Sequence, residues 1–528
     1  MMRFSARRWM LPMGVSIALI ASACGGSDDA APAPAPANGG TATEAPVEGG
    51  TLRVRIGGDV GGFDPASIFQ IENQSVAGHV FNGLLRYDEA TNEIVPDLAT
   101  AMPVISDDGL TYTFTLQQGV QFHGGFGELK ASDVVFHYER VKNPDTGSRY
   151  AAQVANIDSI VAADDYTVVF TLSSPNANFV HTVAAFNQGW IVSEAAVLER
   201  GDDFDLNPVG TGPFEIGTYI PGESISLTAF EDHFAGRAAL DEVEFVVIPD
   251  ETTAEVALTN GEIDAIFALS SPDVVDRLRA NDTVTVHQRT ASFVNNLALN
   301  ISEPPLDDVR VRQAIAHGIN RQAIQDDYFR GLRGAADSWL TEAFVEYTDD
   351  LTKYPYDPAR CRALLEEAGV VGFTFEITAP ALAPYSEQVV FVKDDLDECG
   401  IDTVLNVVER ADYGAIRASG DIMASVTSVT GPPNPENPLV TLFASASAPP
   451  GMNHGVYSAV DDLLASARGI VDPAERAAAY ADIQRRVAQD IPAIPMYSYQ
   501  LATATRAGVE GYVQNSYYTF FAYPISLR

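Results

Sequence analysis

The stretch FTFEITAPALAPYSEQVVFVKDDLDECGIDTVLNVV, residues 373–408, decides the fold class. Phe373 to Thr378 is a short run of aromatic and β-branched residues with the spacing of a strand. From Glu387 to Glu398 the period changes: Val389, Val392 and Leu396 fall three and four apart and share one helix face. Thr403 to Val408 returns to strand spacing. A strand, a helix and a strand at these lengths predict a parallel pair joined by a right-handed crossover. Just upstream, Asp357 and Pro358 supply an N-cap and a first-turn proline, and Gly369 supplies a stop, so another helix precedes the unit. The chain is therefore expected to be α/β.

The same reading extends outward. Thr51 to Ile56 alternates as a strand, and Leu110 to Leu116 puts Tyr112, Phe114 and Leu116 on one face with Thr111, Thr113 and Thr115 on the other. Val134, Val135, Tyr138 and Val141 fall at helical spacing. Leu206 to Ile248 reads as several strands divided by turns such as Pro221-Gly222. A helix is expected over Val309 to Ile324, a long one over Pro473 to Gln489 capped by Asp472, and a strand over Ile491 to Tyr499. No repeat of 20 to 50 residues is present.

The N-terminus reads as a leader. Arg3, Arg7 and Arg8 precede an apolar run from Trp9 to Ala23, too short to span a bilayer and laid out as a signal peptide over residues 1–23. The run ends Ala21-Ser22-Ala23-Cys24-Gly25, which resembles a bacterial lipobox and implies lipidation at Cys24. An ordinary signal peptide with an incidental cysteine is the alternative, and Arg7-Arg8 leaves twin-arginine export open beside the general route. Residues 24–50 are rich in Ala, Pro and Gly and bury little, so a flexible tether is expected.

Composition narrows the functional classes. A net charge of −39 argues against nucleic acid and against a basic membrane patch, leaving a lipid as the membrane contact. About 480 residues follow the tether, enough for two or three lobes. The eight histidines are scattered without metal-ligand spacing, and no CxxC, HExxH, Walker loop or GxSxG occurs. No catalytic residue, metal site or cofactor is expected.

Several motifs, in order along the chain, resemble the extracellular solute-binding proteins of ABC transporters, family 5, the dipeptide/oligopeptide-binding type. They include Val80-Phe81-Asn82-Gly83-Leu84-Leu85-Arg86-Tyr87-Asp88, Gly119-Val120-Gln121-Phe122-His123, Pro208-Val209-Gly210-Thr211-Gly212-Pro213-Phe214, Asp307-Asp308-Val309-Arg310-Val311-Arg312-Gln313-Ala314-Ile315 and Asp490-Ile491-Pro492-Ala493-Ile494-Pro495-Met496-Tyr497. Taken one at a time, these residues read as structural; Gly210 and Gly212, for instance, suit a close backbone approach. The resemblance implies a periplasmic-binding-protein-like fold (type II, cluster C) with two ligand-enclosing lobes, hinge strands and an inserted lobe. Residues 51–88, 206–292 and 495–528 would form lobe I, 89–205 the inserted lobe II and 293–494 lobe III, with crossing strands near Phe293–Asn296 and Ile494–Tyr497. It also implies an exported, lipid-anchored monomer, in the periplasm or on the outer face of the cell membrane. That monomer would pass a small-molecule solute to ABC permease subunits coupled to a cytoplasmic ATPase. An exported hydrolase and a signalling receptor are the rival classes.

Peptide-binding members carry a Trp and then an Asp for the peptide α-ammonium just before an Asp-Pro or Glu-Pro turn. Here Ile422 to Pro435 reads IMASVTSVTGPPNP, with no Trp, no acid, and Gly431 about where the Asp would stand. The expected ligand is therefore not a standard peptide held by its ammonium but an oligosaccharide or other polar solute. A peptide with a different anchor is the alternative. Candidate contacts are Phe69, Ile71, Asn295, Asn296, Tyr385, Tyr413, Thr427, Ser428, Thr430, Gly431 and Tyr497; the hydroxyls of Ser425 to Thr430 serving only to hold a loop is the structural alternative. Cys361 and Cys399 sit on the buried faces of two helices flanking the same strand, so a disulfide is expected in an exported protein, with two buried free thiols as the other possibility.

Overall fold

The computed structural model describes residues 49–528. The expected signal peptide, Cys24 and the expected tether up to residue 48 lie outside the described residues. Among those described, no helix is long and apolar enough to cross a membrane.

One long sheet organises the chain. Its order, by residue, is 402–408, 374–380, 424–428, 284–299, 493–506, 265–269, 51–56, 242–247, 224–229 and 214–220, and 333–335 pairs on 493–506. The opening stretch behaves as expected: Thr374–Pro380 and Asp402–Val408 pair in parallel, with helix Tyr385–Cys399 between them. Val389, Val392, Leu396 and Cys399 are its buried face. Asp357 caps helix Pro358–Ala368 by accepting from the Arg360 amide, and Gly369 ends it at φ 74°.

The two strands that cross the middle, Val284–Leu299 and Ala493–Arg506, run antiparallel in register from Val284↔Arg506 to Ala298↔Ala493. They connect two differently built cores. One contiguous apolar cluster joins Leu52, Phe63 and Val80 to Phe114, Phe170 and Trp190, and closes with Phe245, Phe267 and Phe520. Buried side chains of 51–88 and of 89–205 thus share one core. Another cluster gathers Val311, Ile315, Phe375, Val392, Leu396 and Tyr497. A separate four-stranded sheet, ordered 104–105, 111–115, 167–172, 157–164, carries Tyr112 and Phe114 inward at no measurable exposure.

Two boundaries differ from expectation. The helix starting at Val309 ends at Gly318, because Ile319 turns extended and Asn320 caps a new turn by accepting from the Ala323 amide. The predicted strand at Ile491 starts instead at Ala493, because Ile491 is left-handed (φ 40°) and closes helix Pro473–Asp490 by donating to the Val487 carbonyl. Gly210 and Gly212 are fixed by close approach. A Cβ on Gly210 would stand 2.1 Å from the Val80 carbonyl oxygen, and one on Gly212 2.3 Å from that of His79.

Cys361 and Cys399 are bonded in the structure, with Cα atoms 6.0 Å apart and a sequence separation of 38.

Candidate functional site

A cleft of about 910 Å³ opens against the crossing strands. Its wall comes from four parts of the chain: the start of helix Ile71–Val80 and the loop before it, residues 150–188, the 430–441 loop, and Phe293, Tyr499, Tyr517 and Tyr518 at the floor. The pieces are tied together locally. Asn187, held at φ 66°, donates from Nδ2 to the Ile68 carbonyl (2.8 Å) and accepts from Gln74 Nε2 (2.9 Å), which fixes the Phe69–Ile71 corner. Phe69 stays 58% exposed, with the Arg149 guanidinium 4.5 Å from its ring centre at the mouth.

Five of the sequence candidates line this wall: Phe69, Ile71, Tyr385, Thr430 and Gly431. The other six do not. Tyr413, on helix Arg410–Ser419, is buried and donates its hydroxyl to the Val426 carbonyl of strand Ala424–Ser428. Asn296 and Thr427 stand opposite each other on the crossing strand and its neighbour, fully covered, and Asn296 Nδ2 donates back to the Val294 carbonyl at 3.0 Å. Asn295 and Tyr497 are covered as well, with Asn295 Oδ1 accepting from Gln388 Nε2 at 3.0 Å. Ser428 is off the wall and its hydroxyl has no partner. The reason is register: one residue along a strand reverses the face, and helices cover both faces here. Ser425 is likewise occupied, its Oγ 2.8 Å from His454 Nδ1.

Gly431 has a physical reason to be glycine. Its φ is 149°, its carbonyl accepts from Ser292 Oγ at 2.6 Å, and a Cβ there would meet Asn437 Nδ2 at 2.9 Å. An acid at this place would be strained and crowded.

Two formal charges stand on the wall, Glu436 and Arg468, and they satisfy each other: Arg468 Nε donates to Glu436 Oε1 at 2.7 Å. His181 is the wall's titratable imidazole. Burial, and then the charge of Arg476, push its pKa down to about 3, so it is neutral at ordinary pH, with Nδ1 2.9 Å from the Tyr87 hydroxyl. Burial also raises the phenols of Tyr87, Tyr150, Tyr499 and Tyr517, which stay protonated. What remains is a ring of aromatic faces with amides such as Gln74, Asn156, Asn187 and Asn434 set among them. Among the described residues, no group of three or more His, Cys, Asp or Glu is placed to hold a metal.

Sequence reasoning missed the 150–188 wall, which it assigned to an insertion, and the Tyr517-Tyr518 floor. The one signal available was the unusual run Gln514-Asn515-Ser516-Tyr517-Tyr518, polar and aromatic together after the last long strand.

Comparison with known proteins fits this architecture. The family model for bacterial extracellular solute-binding proteins, family 5 Middle, matches residues 93–449. The chain is 29% identical over 500 residues to the dipeptide-binding protein of Escherichia coli K12, covering 89% of this chain and 93% of that one. The structure of HbpA2 from Haemophilus parasuis superposes with a TM-score of 0.84 at 28% identity, over 91% of this chain and 100% of that one. MoaA of A. tumefaciens R10, solved in complex with mannopinic acid, superposes at 0.74 and 26%, again over 91% and 100%. The fold is that of periplasmic binding proteins.

Proposed function

Because the chain belongs to the bacterial extracellular solute-binding proteins of family 5, the substrate-binding components of ABC importers, we propose that its cleft captures a polyhydroxylated or similarly polar, amphipathic solute and not a peptide held by its ammonium. The observation that carries this reading is the wall itself, where aromatic faces and amides surround a charge pair that is already closed, and where Gly431 leaves no carboxylate. Such a wall suits sugar-like molecules, which stack on rings and exchange hydrogen bonds with amides. The support no longer includes the hydroxyls of Ser425, Thr427 and Ser428, which are off the wall. The relative solved with mannopinic acid favours a polar non-peptide ligand, while the relative named for dipeptides favours a peptide with another anchor. No nucleophile–base pair stands out on the wall, and the relatives compared are named as binding proteins.

In this reading lobe I (51–88, 206–292, 495–528) and lobe III (293–494) close on the solute about the crossing strands, with 89–205 forming part of the wall. Ligand contact to both sides shifts the population toward the closed form, which the permease recognises. The protein acts as an exported monomer, held by a lipid on Cys24. Cys24→Ala should release it from the membrane fraction; a variant that stays there at wild-type mass would refute the anchor.

The direct test of the ligand class is thermal-shift screening of di- to pentapeptides against oligosaccharides and other polar solutes, with native mass spectrometry of freshly purified protein. A peptide that stabilises strongly and loses its effect on amine acetylation would overturn the proposal.

A further inference from the structure

Strand Arg333–Ala335 places Arg333 opposite Tyr499. The guanidinium carbon lies 4.1 Å from the centre of the Tyr499 ring and 5.2 Å from that of Phe329, and Tyr499 is part of the cleft floor. Arg333 is only 8% exposed. Its Nη1 donates to the Leu332 carbonyl, its Nε has no partner, and no carboxylate among the described residues pairs with it. Aromatic faces attract a guanidinium without neutralising it, and a buried cation lacking an anion is disfavoured.

Arg333 has unpaired company on its face of the sheet. Ser428 stands opposite Asn295, and Asn295 opposite Tyr497, which is two residues from Tyr499. Residues directly opposite in an antiparallel pair share a face, as do residues two apart on a strand. Ser428 Oγ, Asn295 Nδ2 and Tyr497 Oη are each buried without a partner. The three groups and Arg333 Nε are all able to donate, and one carries charge. Ordered water would satisfy the hydroxyls and the amide, yet it brings no negative charge. A planar carboxylate supplies that charge and suits the guanidinium fork.

We propose that Arg333, packed on the Tyr499 ring at the cleft floor, recognises a carboxylate, so that the solute is an acid whose anionic end seats beside Tyr385 and Tyr499. The hydroxyls of Tyr385 and Tyr499 are 3.4 Å apart on the cleft side. This inference rests on the polar-solute reading and adds the charge of the solute to it.

Formate is the probe, since it is the smallest carboxylate and needs no knowledge of the natural solute. The full chain, labelled with nitrogen-15 arginine, is titrated with sodium formate replacing sodium chloride at constant ionic strength. The expected result is a saturable shift of one arginine Nε–H resonance, assigned to Arg333 by its loss in Arg333→Gln. Arg333→Gln should also melt at or above the wild type in formate-free buffer, because it removes an unpaired cation. The proposal is overturned if no resonance saturates, if chloride alone gives the same response (an adventitious ion only), or if Arg333→Gln melts below the wild type, which would make the arginine a structural pillar. A peptide ligand emerging from the solute screen would defeat the polar-solute reading while leaving the formate result to stand or fall separately. Once a solute is in hand, Arg333→Gln should weaken the acid about tenfold or more and leave its amide unaffected.

Discussion

If the cleft rejects peptide ammonium groups because its carboxylate is already paired, then freeing that carboxylate should create an ammonium site. Arg468→Met does this with little change of shape, since the aliphatic stem is kept. Glu436 has only 15% of its side chain exposed, whereas the Arg468 side chain is 42% exposed, so the substitution strands a mostly covered carboxylate on the cleft wall. The Arg468 carbonyl, which accepts from the Ala177 amide at 2.8 Å, is retained. An ammonium about 4 Å from a carboxylate gains about 4 kcal/mol at an effective dielectric of about 20. Stripping water from the ammonium and from the carboxylate returns much of that. A net gain of about 1 to 2 kcal/mol is left, or about tenfold in Kd.

The assay is calorimetric titration of wild type and Arg468→Met with dipeptides, each free and N-acetylated. The variant should prefer the free amine by about tenfold, the wild type should show no preference, and the double variant Glu436→Gln/Arg468→Met should lose the gain. A folded single variant that is indifferent to acetylation would refute the idea that charge closure excludes peptides. So would a wild type that already distinguishes the two forms.

Reducing the Cys361–Cys399 bond opens a loop of sequence separation 38 and should lower stability by about 4 kcal/mol in the chain-entropy account; two thiols titrating in denatured, unreduced protein would show the bond absent. Gly212→Ala drives a Cβ into the His79 carbonyl and should destabilise by about 3 kcal/mol, so an unchanged urea midpoint would defeat the close-approach argument. Burial lowers His79, His123, His137 and His454 to about 4, and His181 to about 3. The unfolded chain therefore binds more protons between about pH 6.5 and 4, and each histidine withdraws about 1.4 kcal/mol of stability per pH unit as pH falls through that window. Asp97, raised to about 6 by burial, acts with the opposite sign, as do Glu72, Glu89, Asp133, Glu215, Glu346 and Asp395, which burial also raises; lowered carboxylates such as Asp88, Asp108, Glu128 and Asp308 act with the histidines. Urea midpoints measured in high salt, to screen the acidic surface, should be clearly lower near pH 5 than near pH 7; equal midpoints would contradict the burial of these rings.

How much of this was legible in the sequence depended on range. Helix Pro358–Ala368 carries its cap, first-turn proline and stop within a dozen residues, so reading and structure agree. Strand Thr51–Ile56 and the inward face of Tyr112 and Phe114 are equally local. The helix that was expected to reach Ile324 fails at Ile319 because buried apolar residues continue at helical spacing beyond the break, and periodicity alone does not register a chain that stops and restarts. The cleft was harder for a related reason. Alternation shows that Asn295 and Asn296 face opposite ways, but which face meets the cleft is set by strands more than a hundred residues away and by the helix laid over them.

The distribution of those failures bears on how the family varies its ligands. What maintains the fold sits where backbone approaches backbone: Gly210 and Gly212 against the end of helix Ile71–Val80, and the paired crossing strands. These positions have almost no freedom, and they are the ones whose motifs were recognisable. What lines the cleft sits on helix ends and the loops between elements, around 69–74, 150–156, 174–188, 430–441 and 517–518, where a substitution alters the wall more readily than the core. Relatives at 28% and 26% identity can therefore superpose over nine-tenths of this chain and yet be solved with a peptide in one case and with mannopinic acid in the other. Overall likeness carries the capture-and-deliver role, and the solute must be argued from the few side chains that the register leaves facing the cleft, with Gly431 and the Glu436–Arg468 pair at their centre.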